Sequence, residues 1–273
     1  MLEGRESGNI EDVRGMGGRT IALGGGGLGM LVVLVAALVC GIDPRQLLDS
    51  GALDQSQTQQ QQQRPQNQQQ SNDEQKKFAA SVLGSTEDVW SKILPQQAGR
   101  KYTNPKLVLF TDSIQSACGN ASSSTGPFYC PGDQKLYLDF AFFRELKNDF
   151  NAPGDFAQAY VIAHEVGHHI QNLLGTMDKV GGDNRSSVAL ELQADCYAGV
   201  WSHYAQQQGL LEVGDVEEAL RAAQAVGDDA IQKRTQGYVV PESFTHGSAQ
   251  ERMSWFSNGF KAGDMRQCNT FGR

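Results

Sequence analysis

The spacing of hydrophobic positions changes several times along the chain, and each change marks an element. Residues 20–41 carry no charge and close on the apolar run Met30-Leu31-Val32-Val33-Leu34-Val35-Ala36-Ala37-Leu38-Val39. About 20 apolar residues at 1.5 Å rise cross the hydrocarbon of a bilayer, so this stretch predicts one transmembrane helix. Polar residues then take over. Residues 42–73 are dominated by glutamine, with too little apolar surface to repay the entropy of ordering, and they read as a flexible linker. A helical spacing begins near residue 73, with Phe78, Val82, Val89, Trp90 and Ile93 on one face. The run Leu107-Val108-Leu109-Phe110 reads as a buried strand. Strand-like runs at 126–130 and 135–139 flank Pro131-Gly132-Asp133-Gln134, which predicts a hairpin.

Helical spacing then dominates. A short helix is expected over 140–149. A longer one opens after Pro153-Gly154 with Asp155 as N-cap, carries Phe156, Tyr160, Ala163, Gly167, Ile170 and Leu174 on its apolar face, and ends at Gly175. A Gly-rich loop leads to Ser186 or Ser187, either of which can cap a helix over 188–208. Shorter helices follow at 215–225 and 248–260, the second opened by the capping-box pattern Ser248-x-x-Glu251. The fold class is therefore α+β: mostly helical, with a small antiparallel sheet, preceded by one transmembrane helix. The expected organisation is an N-terminal segment (1–19), the membrane helix (20–41), the linker (42–73) and a folded domain (74–273). A domain of that size buries about 70% of its unfolded surface and needs no staple to have a core.

Charge and cysteine content refine this picture. The net charge is −8 over 273 residues, and no Lys/Arg cluster follows the linker, so nucleic acid is not an expected partner. Arg5, Arg14 and Arg19 precede the apolar stretch and only Arg45 follows it closely. That bias places residues 1–19 in the cytoplasm and the folded domain outside, as a single-pass protein of a bacterial inner membrane. A cleaved signal peptide is the competing reading, disfavoured by the long polar region before residue 20. Four of the five cysteines lie in the folded domain. Cys118 and Cys130 bracket a turn, which leaves Cys196 for Cys268 if the thiols are oxidised; four free thiols are the alternative.

The chemistry concentrates in His164-Glu165-Val166-Gly167-His168. Two imidazoles four residues apart share a helix face and can reach one cation at about 2.0–2.1 Å. Glu165 projects about 100° away around the helix, where it can stand beside the ion and accept a proton from the attacking water. A catalytic zinc takes a third protein ligand and keeps one position open. Glu191 and Asp195 are four apart on the following helix. Glu191 is the expected third ligand, with Asp195 behind it orienting the His164 imidazole; the reverse assignment remains open. Ala194 and Ala198 on that helix would allow close approach to the zinc helix. His169 points away from the ligand pair, as a structural group. His246 could supply a donor for a developing oxyanion, or be no more than a capping or surface histidine. Arg252 stands near it in sequence without an assigned role.

These motifs resemble a known family. His164-Glu165-Val166-Gly167-His168-His169 followed by Glu191-Leu192-Gln193-Ala194-Asp195-Cys196 is similar to the bacterial putative neutral zinc metallopeptidase family and, more distantly, to the thermolysin-like gluzincins. Further likeness lies in Ser116-Ala117-Cys118-Gly119, Gly126-Pro127-Phe128-Tyr129-Cys130-Pro131, Tyr137-Leu138-Asp139 and Phe244-Thr245-His246-Gly247. The metzincin pattern is not met, because Gln171 stands where that pattern has Gly. The resemblance implies a zincin-like domain in a single-pass membrane protein, Zn2+ on His164, His168 and Glu191, and Glu165 as catalytic base. Peptide hydrolysis is the expected activity, on a peptide or protein lying extended along an edge strand of the 126–139 hairpin. The competing function is a zinc-containing envelope module that binds without cleaving.

Overall fold

The computed structural model describes residues 4–15, 66–179 and 181–271. The apolar stretch 20–41 and most of the linker lie outside the described residues. Among the described residues no helix is long and apolar enough to cross a membrane. The chain divides into two compact units, one of residues 1–15 with 75–273 and the other of 16–74. Of the second, only the opening of helix α1 (Gln66–Ala98) is described.

The first unit is α+β. Strands β1 (Ile10–Asp12), β2 (Lys106–Phe110), β5 (Phe128–Cys130) and β6 (Lys135–Asp139) form a sheet of order β1-β2-β6-β5. A second, two-stranded sheet pairs β3 (Ser113–Ser116) with β4 (Gly119–Ser122). Helices α2 (Ala141–Asn148), α3 (Asp155–Leu174), α4 (Asn184–Gln207), α5 (Asp215–Ala225), α6 (Asp228–Gln236) and α7 (Ala249–Ala262) follow. One core joins the layers. Trp90 and Leu83 of α1, Leu107, Leu109, Leu136 and Leu138 of the sheet, Phe156 and Tyr160 of α3, Trp201 of α4 and Phe256 of α7 are all fully buried in it.

The expected β5–β6 hairpin is present, with β5 at the sheet edge. The expected antiparallel sheet is corrected to a mixed one, because β6 and β1 both run parallel to β2. Two helix starts are also corrected. Asp155 is the first residue of α3 and Gly154 its cap; the orphan N–H of Phe156 is satisfied by the Glu218 carboxylate of α5, 3.1 Å away. Helix α4 is capped by Asp183, whose side chain accepts from the Ser186 amide, and not by either serine. The Ser248–Glu251 capping box and the left-handed Gly175 end of α3 are both found. Helix α6 was not anticipated. It buries none of its residues, so it carries no apolar stripe to read.

The largest departure concerns the N-terminus. Residues 1–19 were expected to stand apart from the folded domain, on the far side of a membrane. Residues 10–12 are instead a strand of its sheet, in register with β2 at Ile10–Leu107, Glu11–Val108 and Asp12–Leu109. Three residues of modest hydrophobicity give too short a pattern to be recognised as a strand. The segment before them is fastened by polar groups. Buried Glu87 of α1 accepts from Ser7 Oγ (2.7 Å), Asn9 Nδ2 (2.7 Å) and Arg5 Nη2 (2.8 Å). Gly84 makes room for it: a Cβ there would lie 2.0 Å from the Arg5 carbonyl oxygen. Gly84→Ala should therefore cost about 1–3 kcal/mol, the usual range for overpacking. The expected result is a lower Tm together with faster amide exchange at Ile10–Asp12.

Candidate metal centre

Helices α3 and α4 build the centre by lying unusually close. A Cβ on Gly167 would stand 2.9 Å from the Ala194 carbonyl oxygen and 3.2 Å from its Cβ, so a larger residue at either position would part the helices. This is the close approach expected from the small residues of α4. At that contact the His164 and His168 side chains of α3 meet Glu191 of α4. His164 Nε2 is 3.1 Å from Glu191 Oε2 and His168 Nε2 is 3.4 Å from Glu191 Oε1. One ligand atom from each of the three residues lies within 4.8 Å of the others. Two imidazole nitrogens and a carboxylate at that separation fit zinc, which takes this donor set with a fourth position left open. The structure thus brings Glu191, not Asp195, to the two ring nitrogens.

Asp195 takes the other role open to it. It is fully buried and accepts from Arg252 Nε (2.8 Å), Arg252 Nη2 (3.0 Å) and the Tyr160 hydroxyl, while its Oδ1 stands 2.8 Å from His164 Nδ1. An acceptor at Nδ1 fixes a proton there and turns Nε2 toward Glu191, as the ring nitrogen left to meet a cation. His168 has the equivalent support from a neutral group, with Nδ1 2.8 Å from Gln171 Oε1. The Gln171 amide donates in turn to Leu190 O (2.7 Å) and Gln193 Oε1 (3.1 Å), and Gln193 donates to Cys268 O (2.8 Å). Cys268 is held by its disulfide to Cys196, and Cys118 is likewise joined to Cys130, so both expected pairs are formed.

The electrostatics follow from burial and pairing. Burial works against charge on His164, but the Asp195 carboxylate, with Glu191 behind it, overcomes this and raises the imidazole to about 10. His168 is raised against its burial by Glu191. Glu191 is held well below the ordinary carboxylate range, despite burial, by the two histidines, and Asp195 is lowered by Arg252 and His164. Glu165 is pushed up by burial, with the two imidazoles opposing. It borders a small apolar recess of about 10 Å³, room for one water molecule, lined by Leu107, Pro127, Leu136, Val161 and Ile162, where the sheet meets α3.

His246 is not one of the converging ligands. It sits half-exposed in the turn before α7, with Nδ1 3.2 Å from Asp228 Oδ1. Asp228 Oδ2 also accepts the backbone N–H groups of Thr245, His246 and Gly247, and Gly247 packs against Val188 and Leu192, which flank Glu191 in sequence. The Asp228 hydrogen bond raises the His246 imidazole above its ordinary value; burial and Arg252 oppose this and Glu191 adds to it. His169 is tied instead to Tyr129 and the Thr103 carbonyl, joining α3 to the sheet side, as expected of a structural group. Gln171, Tyr160 and Asp228 were not anticipated. Gln171 carried a signal, as the polar residue three positions after His168 on a buried face; Asp228 carried none.

A family model described as putative neutral zinc metallopeptidase matches residues 2–271. The chain is 48% identical over 286 residues to the uncharacterized protein YpfJ of Escherichia coli, covering 98% of this chain and 97% of that protein. It is 41% identical over 253 residues to the uncharacterized protein Rv2575 of Mycobacterium tuberculosis, covering 86% of this chain and 85% of that protein. No solved structure matches it.

The Gln171 contact has a measurable consequence. Gln171→Leu removes the acceptor that orients His168 and touches no metal-facing atom. It should weaken zinc binding about 10- to 100-fold, as loss of such supporting contacts does elsewhere, in competition with a chromogenic chelator. Unchanged affinity would show that packing alone orients the ring.

Proposed function

The chain belongs to the putative neutral zinc metallopeptidase family, and on that premise we propose that it hydrolyses peptide bonds with zinc held by His164, His168 and Glu191 and with Glu165 as general base. The observation that carries this reading is the convergence of those three ligand atoms within 4.8 Å, with Glu165 the next residue after the first of them. Zinc bound there supplies a Lewis acid that polarises the scissile carbonyl and lowers the pKa of water toward 7. The protein's own groups do the rest. Glu165 takes the proton of the attacking water and returns it to the leaving amine. Its apolar surroundings, which raise its affinity for a proton, suit it to hold that proton between the two steps.

His246 is the second catalytic group of this proposal. Held by Asp228 beside the Glu191 turn, its imidazolium can donate to the oxygen that becomes negative in the transition state. The peptide would add to edge strand β5, which among the described residues pairs only with β6 in its sheet. The apolar stretch 20–41 supports attachment to a bacterial inner membrane. The two disulfides support an oxidising, extracytoplasmic location for the domain.

Two measurements test this mechanism. Glu165→Gln should retain zinc and lose about 10²- to 10⁴-fold in kcat, the usual contribution of a general base. Full turnover in that variant removes Glu165 from the mechanism; zinc binding without cleavage in the wild type would favour the binding module. If the His246 imidazolium is the donor, activity should fall as pH rises through the pKa of His246, which lies above the ordinary 6.5. Asp228→Asn takes away the charge that raises it, so the alkaline limb of kcat/KM should move to lower pH.

A further inference from the structure

The N-terminal strand constrains how this chain can meet a membrane. Three observations make residues 4–15 an integral part of the metal-site unit. First, β1 lies on the outer edge of β2 in parallel register, and β2 in turn pairs with β6, which lies against α3 at the recess beside Glu165. Backbone bonds continue the pairing on either side, from Leu107 N to Asn9 O (2.9 Å) and from Val13 N to Leu109 O (2.9 Å), and Ser7 N reaches Ala80 O (2.9 Å). Second, the charges are matched. Glu11 lies between Lys106 (2.6 Å) and Lys135 (2.7 Å), and Arg5 between Glu87 (2.8 Å) and Asp88 (2.9 Å). Third, Glu87 is buried and accepts hydrogen bonds from Arg5, Ser7 and Asn9. Without residues 4–15 a buried carboxylate would lose these partners and β2 would become an open edge, both costly.

Residues 16–74 leave this unit after β1 and return to it in α1. One crossing of a bilayer within that span would put about 30 Å of hydrocarbon between β1 and β2, which the pairing forbids. Two crossings need about 40 apolar residues. The only uncharged apolar stretch available is 20–41, since 42–65 contains Asp43, Arg45, Asp49, Asp54 and Arg64 among its glutamines.

Building on the membrane attachment proposed above, we infer that residues 4–15 and the metal-site unit lie on the same side of the membrane. The arginine bias before the stretch 20–41 then reports attraction to anionic headgroups on that side, not a cytoplasmic N-terminus. The N-terminus shares the compartment of the disulfides.

Side-specific thiol labelling of the full-length chain tests this. In a Cys40→Ser background, Glu6→Cys or Gly8→Cys reports on the N-terminal segment and Ser91→Cys on the metal-site unit. All three positions are exposed, and a Cβ at Gly8 meets nothing within 4 Å. None belongs to the proposed catalytic machinery. A membrane-impermeant maleimide is applied to spheroplasts and, separately, to inverted membrane vesicles. The expected result is that residue 6 or 8 and residue 91 label in the same preparation, at least tenfold over the other, while the chain sediments with membranes. Labelling from opposite sides would overturn the inference and restore a single crossing. Recovery of the chain in the soluble fraction would overturn the membrane attachment on which the inference rests. Neither outcome bears on peptide hydrolysis, which the Glu165→Gln comparison decides separately.

Discussion

The centre depends on the fully buried carboxylate of Asp195. A carboxylate with no exposure costs several kcal/mol unless its charge and lone pairs are met. Here they are met by Arg252 from α7, Tyr160 and His164 from α3, and the geometry of α4 itself. Three helices distant in sequence are thereby locked at one point. The lock is directional. Arg252 uses Nε and Nη2 on the two Asp195 oxygens, which leaves Oδ1 placed to receive His164 Nδ1. Arg252 has a second anchor at the Val226 carbonyl, 3.2 Å away, so the turn between α5 and α6 is tied to the same point.

This dependence explains which parts of the centre could be read from the chain. The converging set was legible because its spacing is set by helix geometry: two histidines four apart, and two acids four apart on the next amphipathic stretch. The choice between Glu191 and Asp195 was not legible, since both project from one helix face. It is decided by depth, with Asp195 one turn further into the core and taken by Arg252. The disulfide pairing was legible because a short loop left one partner for the remaining cysteine. Asp228 and its bond to His246 were not, because α6 buries nothing and its first residue acts through a turn eighteen positions later.

The fold divides in the same way. Helices with an apolar stripe, and the hairpin with a strong turn, stood out of the sequence. The parallel pairings did not, because β1 and β2 are joined by about 90 intervening residues and each reads alone as a fragment. Local pattern carries no information about such pairing; only burial of Leu107 and Leu109 between the sheet and the helices makes β2 a shared interior strand with something on its outer edge. That missing partner is why residues 10–12 could not be read from the sequence as part of the domain.

The two histidines receive unequal support, and charge balance accounts for it. A doubly charged zinc ion held there would, together with Arg252, be matched by Glu165, Glu191 and Asp195 when all three are ionised. A carboxylate at the fully buried position 171, the usual alternative partner for a ligating histidine, would leave the cluster with a surplus negative charge. That surplus would raise the proton affinity of Glu165 further and would repel the oxyanion that the proposed reaction must develop. The amide of Gln171 fixes the His168 ring without adding charge, and its own N–H groups find two acceptors, Leu190 O and Gln193 Oε1. Gln193 then hands the chain to a backbone carbonyl, which cannot donate. The direction of every bond back to His168 follows from that one fact, so the ring is held with Nδ1–H toward Gln171 and Nε2 facing Glu191.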